Sequence, residues 1–351
     1  MFRKLLQKPD SFSMTVLLLL MIWLIASDMK AQDLHYSQFY NSPLNTSPAL
    51  TGIFNGDQRF MFSFRDQGRN IPVPYLTFTA SYDRKIYPAS NTDGFFGIGG
   101  FINYDEQGDS NLRLINVNAT ASYSRLLDEH NILTGGILLG FANRGFDPEN
   151  LMWDSQWDPV TGMFNSNAGS GENFDFENFS FLETAIGLNY RWQSSTRTRI
   201  DIGAAGWHLN EPESNFSNSV DQSLPLRMSF YGIGSIQLDE RLDFQLDILH
   251  QRQDAYRQLL FGGYLNYYLN QARGRVSQFR AGAGYKTTGE ILFVKAGFQT
   301  NELFVGASYD IDLSEFGVFD EGSPGRGPEL HLRYIIKHVK PKGRFKICPI
   351  F

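Results

Sequence analysis

A two-residue rhythm of apolar and polar side chains returns along almost the whole chain, and it constrains the fold more than any other feature. In residues 115–124, Ile115, Val117, Ala119, Ala121 and Tyr123 share one face while Asn116, Asn118, Thr120, Ser122 and Ser124 share the other. Only an extended strand puts alternate residues on opposite faces. The same pattern sets Leu242, Phe244, Leu246 and Ile248 against Asp243, Gln245 and Asp247, and Leu182, Ile186, Leu188, Tyr190 and Trp192 against Glu183, Asn189 and Arg191. Near the end, Leu303, Val305, Ala307, Tyr309 and Ile311 oppose Gly306, Ser308 and Asp310, and Leu330, Leu332, Tyr334 and Ile336 oppose His331 and Arg333.

Strands are expected over 58–66, 76–82, 94–104, 112–126, 131–146, 178–193, 196–208, 225–238, 242–253, 256–269, 279–286, 291–300, 303–313 and 328–338. That is about fourteen, with twelve or sixteen also compatible with the pattern at the strand edges. A soluble β-sandwich and a membrane barrel both use such strands, and connection lengths separate them. Outer-membrane barrels pair short periplasmic turns with longer outside loops. With the first strand running outward, Ser194 and Ser195, residues 239–241, and Asn301 with Glu302 form tight periplasmic turns, whereas the long connections 147–177, 209–224 and 314–327 fall outside. Connections 83–93 and 270–278 are exceptions, being long for periplasmic turns. A sandwich has no reason to sort its loops in this way.

The expected fold is therefore all-β: a transmembrane antiparallel up-and-down β-barrel with apolar side chains toward lipid and polar ones toward the lumen. Gly97, Gly99, Gly100, Gly135, Gly136, Gly262, Gly263, Gly282 and Gly284 lie within the strands. Glycine weakens a strand, so its repeated use points to curvature or to close approach of another backbone inside the barrel. A barrel of this size holds either water or a plug.

The N-terminus has the layout of a cleaved signal peptide: Arg3, Lys4 and Lys8, an apolar run over 16–25, then Ser27 and Asp28. The run is far shorter than the roughly 20 residues of a spanning helix. Cleavage after Ala31 would leave Gln32 first, although Met29 is larger than the usual small residue at that place. The expected organisation is a signal peptide at 1–31, a periplasmic N-terminal segment at 32–57, the barrel at 58–338 and a basic tail at 339–351. Loss of the leader takes Arg3, Lys4, Lys8, Lys30, Asp10 and Asp28 from 31 basic and 37 acidic residues, leaving 27 and 35 and a net charge near −8. An acidic chain lacks the basic footprint of a nucleic-acid binder. No second long apolar run follows and the mean hydropathy is −0.29, which excludes a helical membrane protein. The 15% aromatic content, with 30 Phe and 16 Tyr, suits a barrel. One cysteine, Cys348, offers no internal disulfide.

Enzymatic motifs are missing. His35, His130, His208, His250, His331 and His338 are scattered without metal-ligand spacing. The run from Ala281 to Tyr285 lacks the third glycine and helix of a nucleotide loop, residues 165–178 lack calcium-loop spacing, and no Gly-x-Ser-x-Gly element occurs. No catalytic residue, cofactor or metal is expected. Two partner-binding candidates remain. The connection 147–177 carries Trp153, Trp157 and Phe164, aromatic anchors for a partner unless they fold back on the rim or plug the lumen. The tail carries Lys340, Lys342, Arg344 and Lys346 without an acidic neighbour, and either docks on an acidic periplasmic partner or is a disordered terminus.

Residues 32–40 (QDLHYSQFY) and 41–52 (NSPLNTSPALTG) resemble the N-terminal signature of the PorP/SprF family of Bacteroidetes type IX secretion and gliding-motility membrane proteins. Residues 64–67 (FRDQ), Pro74 with Tyr75, residues 80–83 (ASYD) and the ending 348–351 (CPIF) are similar to further blocks of that family. Gly68 departs from the pattern, standing where family members tend to have Trp. The resemblance implies an outer-membrane protein that works with type IX or gliding machinery, touches its periplasmic components, and helps an adhesin-type substrate to be secreted or held at the cell surface. The alternative from a different class is a channel for passive uptake of small solutes.

Overall fold

Which face of each strand is hidden follows from what surrounds it. In residues 115–124 the polar side chains Asn116, Asn118, Thr120, Ser122 and Ser124 are buried, whereas Ile115, Val117 and Tyr123 are exposed. Ile137, Leu139 and Ile202 are about 60% exposed (62%, 61% and 58%), while Asp247, Asp310 and Glu329 are fully buried. A water-soluble protein reverses this arrangement. Here hydrocarbon is the outer solvent, so apolar side chains face out and polar ones are satisfied within.

The computed structural model describes residues 34–337 except 69–74, 89–92, 109, 149–150, 160, 166–167, 169–176, 215, 217–222, 273–274 and 315–325. Strands β1 (Gln58–Gln67), β2 (Tyr75–Ile86), β3 (Gly94–Gln107), β4 (Leu112–Leu126) and β5 (Asn131–Gly145) lead to a short hairpin, β6 (Trp157–Asp158) and β7 (Met163–Phe164). There follow β8 (Asn178–Gln193), β9 (Arg199–Trp207), β10 (Arg227–Gln237), β11 (Leu242–Gln253), β12 (Tyr256–Ala272), β13 (Arg275–Lys286), β14 (Ile291–Thr300), β15 (Leu303–Asp312) and β16 (Gly327–Ile336). All but β6 and β7 form one closed antiparallel barrel of fourteen strands. Each strand pairs with its sequence neighbours, and the seam closes between β1 and β16, with Gln58 opposite Ile336 and Arg65 opposite Glu329. Closure leaves no free edge, which hydrocarbon would not tolerate. The expected barrel and its strand number are both observed.

An even strand number puts the start of β1 and the end of β16 on the same, periplasmic side. The connections on that side are all short: 87–93, 127–130, 194–198, 238–241, 273–274 and 301–302. In one of them Asp128 accepts hydrogen bonds from the side chain of Asn131 and from the backbone N–H groups of His130 and Asn131, which hold its pKa below the ordinary carboxylate value. The three longest connections, 146–177, 208–226 and 313–326, lie at the other end. The exceptions expected at 83–93 and 270–278 disappear, because β2 runs on to Ile86 and the β12–β13 hairpin continues through Asn270↔Ser277, Gln271↔Val276 and Ala272↔Arg275 past a bulge at Tyr268 and Asn270. These strand ends lose their apolar face and so lose the alternation that would have marked them.

Residues 34–57 depart from the expected periplasmic segment. They enter the lumen as a 3-10 turn (Phe39–Asn41), one turn of α-helix (Pro43–Thr46) and a second 3-10 turn (Pro48–Leu50). The segment is almost wholly buried against the inner wall. The polar inner wall is the reason: it offers hydrogen-bond partners that a backbone rich in Ser, Asn, Thr and Pro can satisfy. The leader expected at 1–31 and the tail at 339–351 lie outside the described residues.

Candidate functional site

Three sets of contacts fix the N-terminal segment as a plug. In the outer half of the lumen, Glu329 accepts hydrogen bonds from two successive backbone N–H groups, those of Ser37 and Gln38, both at 2.8 Å. His331 Nε2 lies 2.6 Å from the same carboxylate and its Nδ1 lies 2.8 Å from Ser63 Oγ. Ser37 Oγ donates to Asp310 at 2.7 Å, and Asp310 also receives Lys286 Nζ at 2.7 Å and Arg65 Nη2 at 2.8 Å. Arg65 reaches on to the His35 carbonyl at 2.7 Å. Two buried cations and two buried carboxylates are thereby balanced, and both carboxylates are bound to the plug. Buried charge requires such pairing and hydrogen bonding to persist.

Midway, apolar side chains of the plug enter sockets in an otherwise polar wall. Leu44 packs with Phe101, Leu138, Ala185, Ala205 and Trp207. Phe39, Leu50 and Ile53 pack with Phe95, Tyr231, Leu249, Leu260 and Phe293. Asn45 and Asn103 exchange amide hydrogen bonds of 3.1 and 2.9 Å. The wall also makes room for the plug backbone: a methyl group on Gly136 would collide with Pro48, and one on Gly187 with Ser47. These are close approaches of the kind the strand glycines led one to expect, and only a residue without Cβ permits them.

Toward the periplasm, Gly52, in the left-handed region at φ +75°, turns its N–H onto Asp83 at 2.7 Å. Arg59 grips Asp83 with two bonds of 2.8 Å and reaches the Leu50 carbonyl. Thr51 bonds Thr120 at 2.9 Å and accepts from Ser122 at 2.7 Å. Asp57 then bridges Ile336 and Lys85 through its backbone, which joins the plug to the barrel seam. The lumen therefore holds a plug made by the chain itself.

At the outer end, Phe216 meets Phe146 and Phe179 edge-on at 4.7 and 4.9 Å. The loop 146–177 carries the candidates Trp153, Trp157 and Phe164. The rings of Trp157 and Phe164 face each other at 5.4 Å on the β6–β7 hairpin. They are 44% and 48% exposed, and Met163 on the same hairpin and Met152 earlier in the loop are more exposed still. Trp153 is half-buried, and its backbone N–H donates to the Gln156 side-chain oxygen. Gln156 in turn reaches the Ala168 carbonyl, and Thr161 donates to Asp158. The hairpin is thus held in shape with Trp157, Met163 and Phe164 exposed. Lys340, Lys342, Arg344 and Lys346 lie outside the described residues.

Sequence reasoning missed the plug and its latch residues Glu329, His331, Asp310, Lys286 and Arg65. One signal was present: Phe101, Leu138, Leu249, Leu260 and Phe293 occupy inward positions on a wall that is otherwise mostly polar. An apolar residue facing a polar lumen needs something apolar to cover it.

Among solved structures, the chain is similar to the toluene transporter TbuX of Ralstonia pickettii, at 13% identity and a TM-score of 0.50, covering 85% of this chain and 94% of that one. It is also similar to the toluene transporter TodX of P. putida, at 12% identity and a TM-score of 0.47, covering 85% and 95%, and to a Pseudomonas aeruginosa FadL homologue, at 12% identity and a TM-score of 0.44, covering 82% and 91%. At such identity the likeness to TbuX speaks for the barrel fold alone. No curated protein matches the chain. The family model described as type IX secretion system membrane protein PorP/SprF matches residues 28–324. With the closed barrel, that match over most of the chain places the protein in the outer membrane as a component of type IX secretion: it belongs to the PorP/SprF family.

Proposed function

We propose that this protein is a sealed outer-membrane platform, an accessory that assists secretion of an adhesin-type partner or holds it at the cell surface by its outside loops. The observation that carries this reading is the occupied lumen. Residues 34–54 lie across the pore, latched by Glu329 and Asp310 and socketed by Leu44, Phe39, Leu50 and Ile53. A barrel filled by its own backbone serves a partner through its ends and not through its bore. The outer end offers Trp157 and Phe164 with Met152 and Met163, residue types suited to anchoring and adapting to a protein surface. The solute-channel reading needs an open path, which the plug opposes.

The test is made in cells. Replacing the chromosomal gene by the W157A/F164A variant, with barrel abundance checked by heat-modifiable migration, should release one large surface protein into the medium and leave small-solute uptake unchanged. Unaltered surface protein in that strain and in a deletion strain would contradict the proposal.

A further inference from the structure

Beneath the plug, a cavity of about 460 Å³ opens among the periplasmic strand ends. Pro43, Leu50, Ile53 and Phe54 of the plug line it, as do the side chains of Gln245, Gln278, Gln299 and Asn266. Its charge is one-sided. Arg59, Arg191 and Arg197 are paired with Asp83, Asp201 and Asp243 at 2.8, 2.7 and 2.6 Å. Arg199, Arg280, Arg333 and Lys337 also line the cavity, and none of them has a carboxylate partner among the described residues.

Two of these cations are poorly satisfied. Arg280 Nη2 and Arg333 Nη2 converge on the same amide oxygen, Gln299 Oε1, at 2.6 and 3.5 Å. The Nε of Arg280 is buried without a hydrogen-bond partner. Both guanidinium groups lie 4.8 Å from the ring of Phe304. Arg280 Nη1 reaches the Tyr264 hydroxyl at 3.4 Å, a neutral partner like Gln299. Arginine does not discard its proton, so the mutual repulsion of such groups inside a barrel is relieved most strongly by an anion. Its planar fork favours a carboxylate or a phosphate.

We propose that this vestibule is a binding site for an acidic peptide segment presented by a periplasmic partner protein. The apolar floor and the ring of Gln and Asn amides favour a peptide over a bare phosphate, since a peptide brings apolar side chains and a backbone to pair with them. The volume suits a short segment and excludes a folded domain. The site rests on the reading that the barrel works with the secretion apparatus, but it is tested without that apparatus.

Full-length barrel purified in detergent is titrated by calorimetry with an amidated hexapeptide of alternating Glu and Leu, with its Gln-for-Glu counterpart, and with inorganic phosphate. The Glu peptide should bind at least tenfold tighter than the Gln peptide, and binding should weaken as salt rises. R280Q/R333Q should reduce that affinity at least tenfold, whereas R275Q, on an arginine outside the cavity, should not. Equal affinity for both peptides overturns the proposal, even if the double variant fails to fold, because that comparison needs only the natural protein. Binding of phosphate with no binding of the Glu peptide overturns it too. Loss of the site in vitro while the W157A/F164A strain behaves as expected would remove this inference and leave the platform reading standing.

Discussion

The same strands build the two halves of the lumen, yet they treat charge in opposite ways. In the outer half, Arg65 and Lys286 meet Asp310 and Glu329, and both carboxylates also bind the backbone or side chain of residues 37–38. In the periplasmic half, Arg199, Arg280 and Arg333 surround an open cavity without a carboxylate of their own. A balanced network has nothing left to offer a ligand and acts as a fastener. An unbalanced one waits for a charge from elsewhere. The contrast gives the lumen a direction: latched toward the outside, with an open cavity toward the periplasm.

Removing the fastener should have the largest effect. Glu329→Ala leaves the buried backbone N–H groups of Ser37 and Gln38 and the His331 ring without their acceptor, and the loss of one partner of a buried pair costs about 3–5 kcal/mol. In a S37C/C348S background, thiol labelling by a water-soluble maleimide should rise from nearly absent to rapid. Unchanged labelling would mean that the charge network does not hold the plug. Next comes Leu44→Ala, which empties an apolar socket and should cost about 2–5 kcal/mol of plug seating, read as a lower urea midpoint for labelling of the same thiol. Gly136→Ala should follow, at about 1–3 kcal/mol, because its new methyl group meets the Pro48 backbone. The same assay reads it, with Gly135→Ala as the control, since the space beside Gly135 is empty. The smallest stability effect is expected for Trp157→Ala with Phe164→Ala, within about 0.5 kcal/mol in the melting of the purified barrel. A large change there would mean that the hairpin belongs to the barrel's packing rather than to a partner.

The barrel was legible because hydrocarbon and lumen impose opposite demands on alternate residues, so segments such as 115–124 carry the fold in their own pattern. The rhythm fades at strand ends such as Lys85 and Gln271, where no lipid face selects apolar side chains, and there the boundaries slipped. The plug was not legible in that way. Residues 32–57 have no period, and their Ser, Asn, Thr and Pro content reads equally well as a solvated segment and as backbone designed to bond a polar wall. Glu329 and His331 sit two apart on β16 and look like ordinary inward residues until the chain from the other end arrives beside them. The vestibule cations come from β9, β13 and β16, so only closure of the barrel brings them together. The hairpin aromatics did stand out, because large apolar side chains in a long polar connection need a reason wherever they occur.

The account stands on a pore filled by the chain's own N-terminal segment, and ion flow through single barrels in a planar lipid bilayer reads this directly. The natural protein should show no steady conductance, and E329A/L44A should show frequent openings. Large, long-lived, unblocked steps from the natural protein would contradict the account.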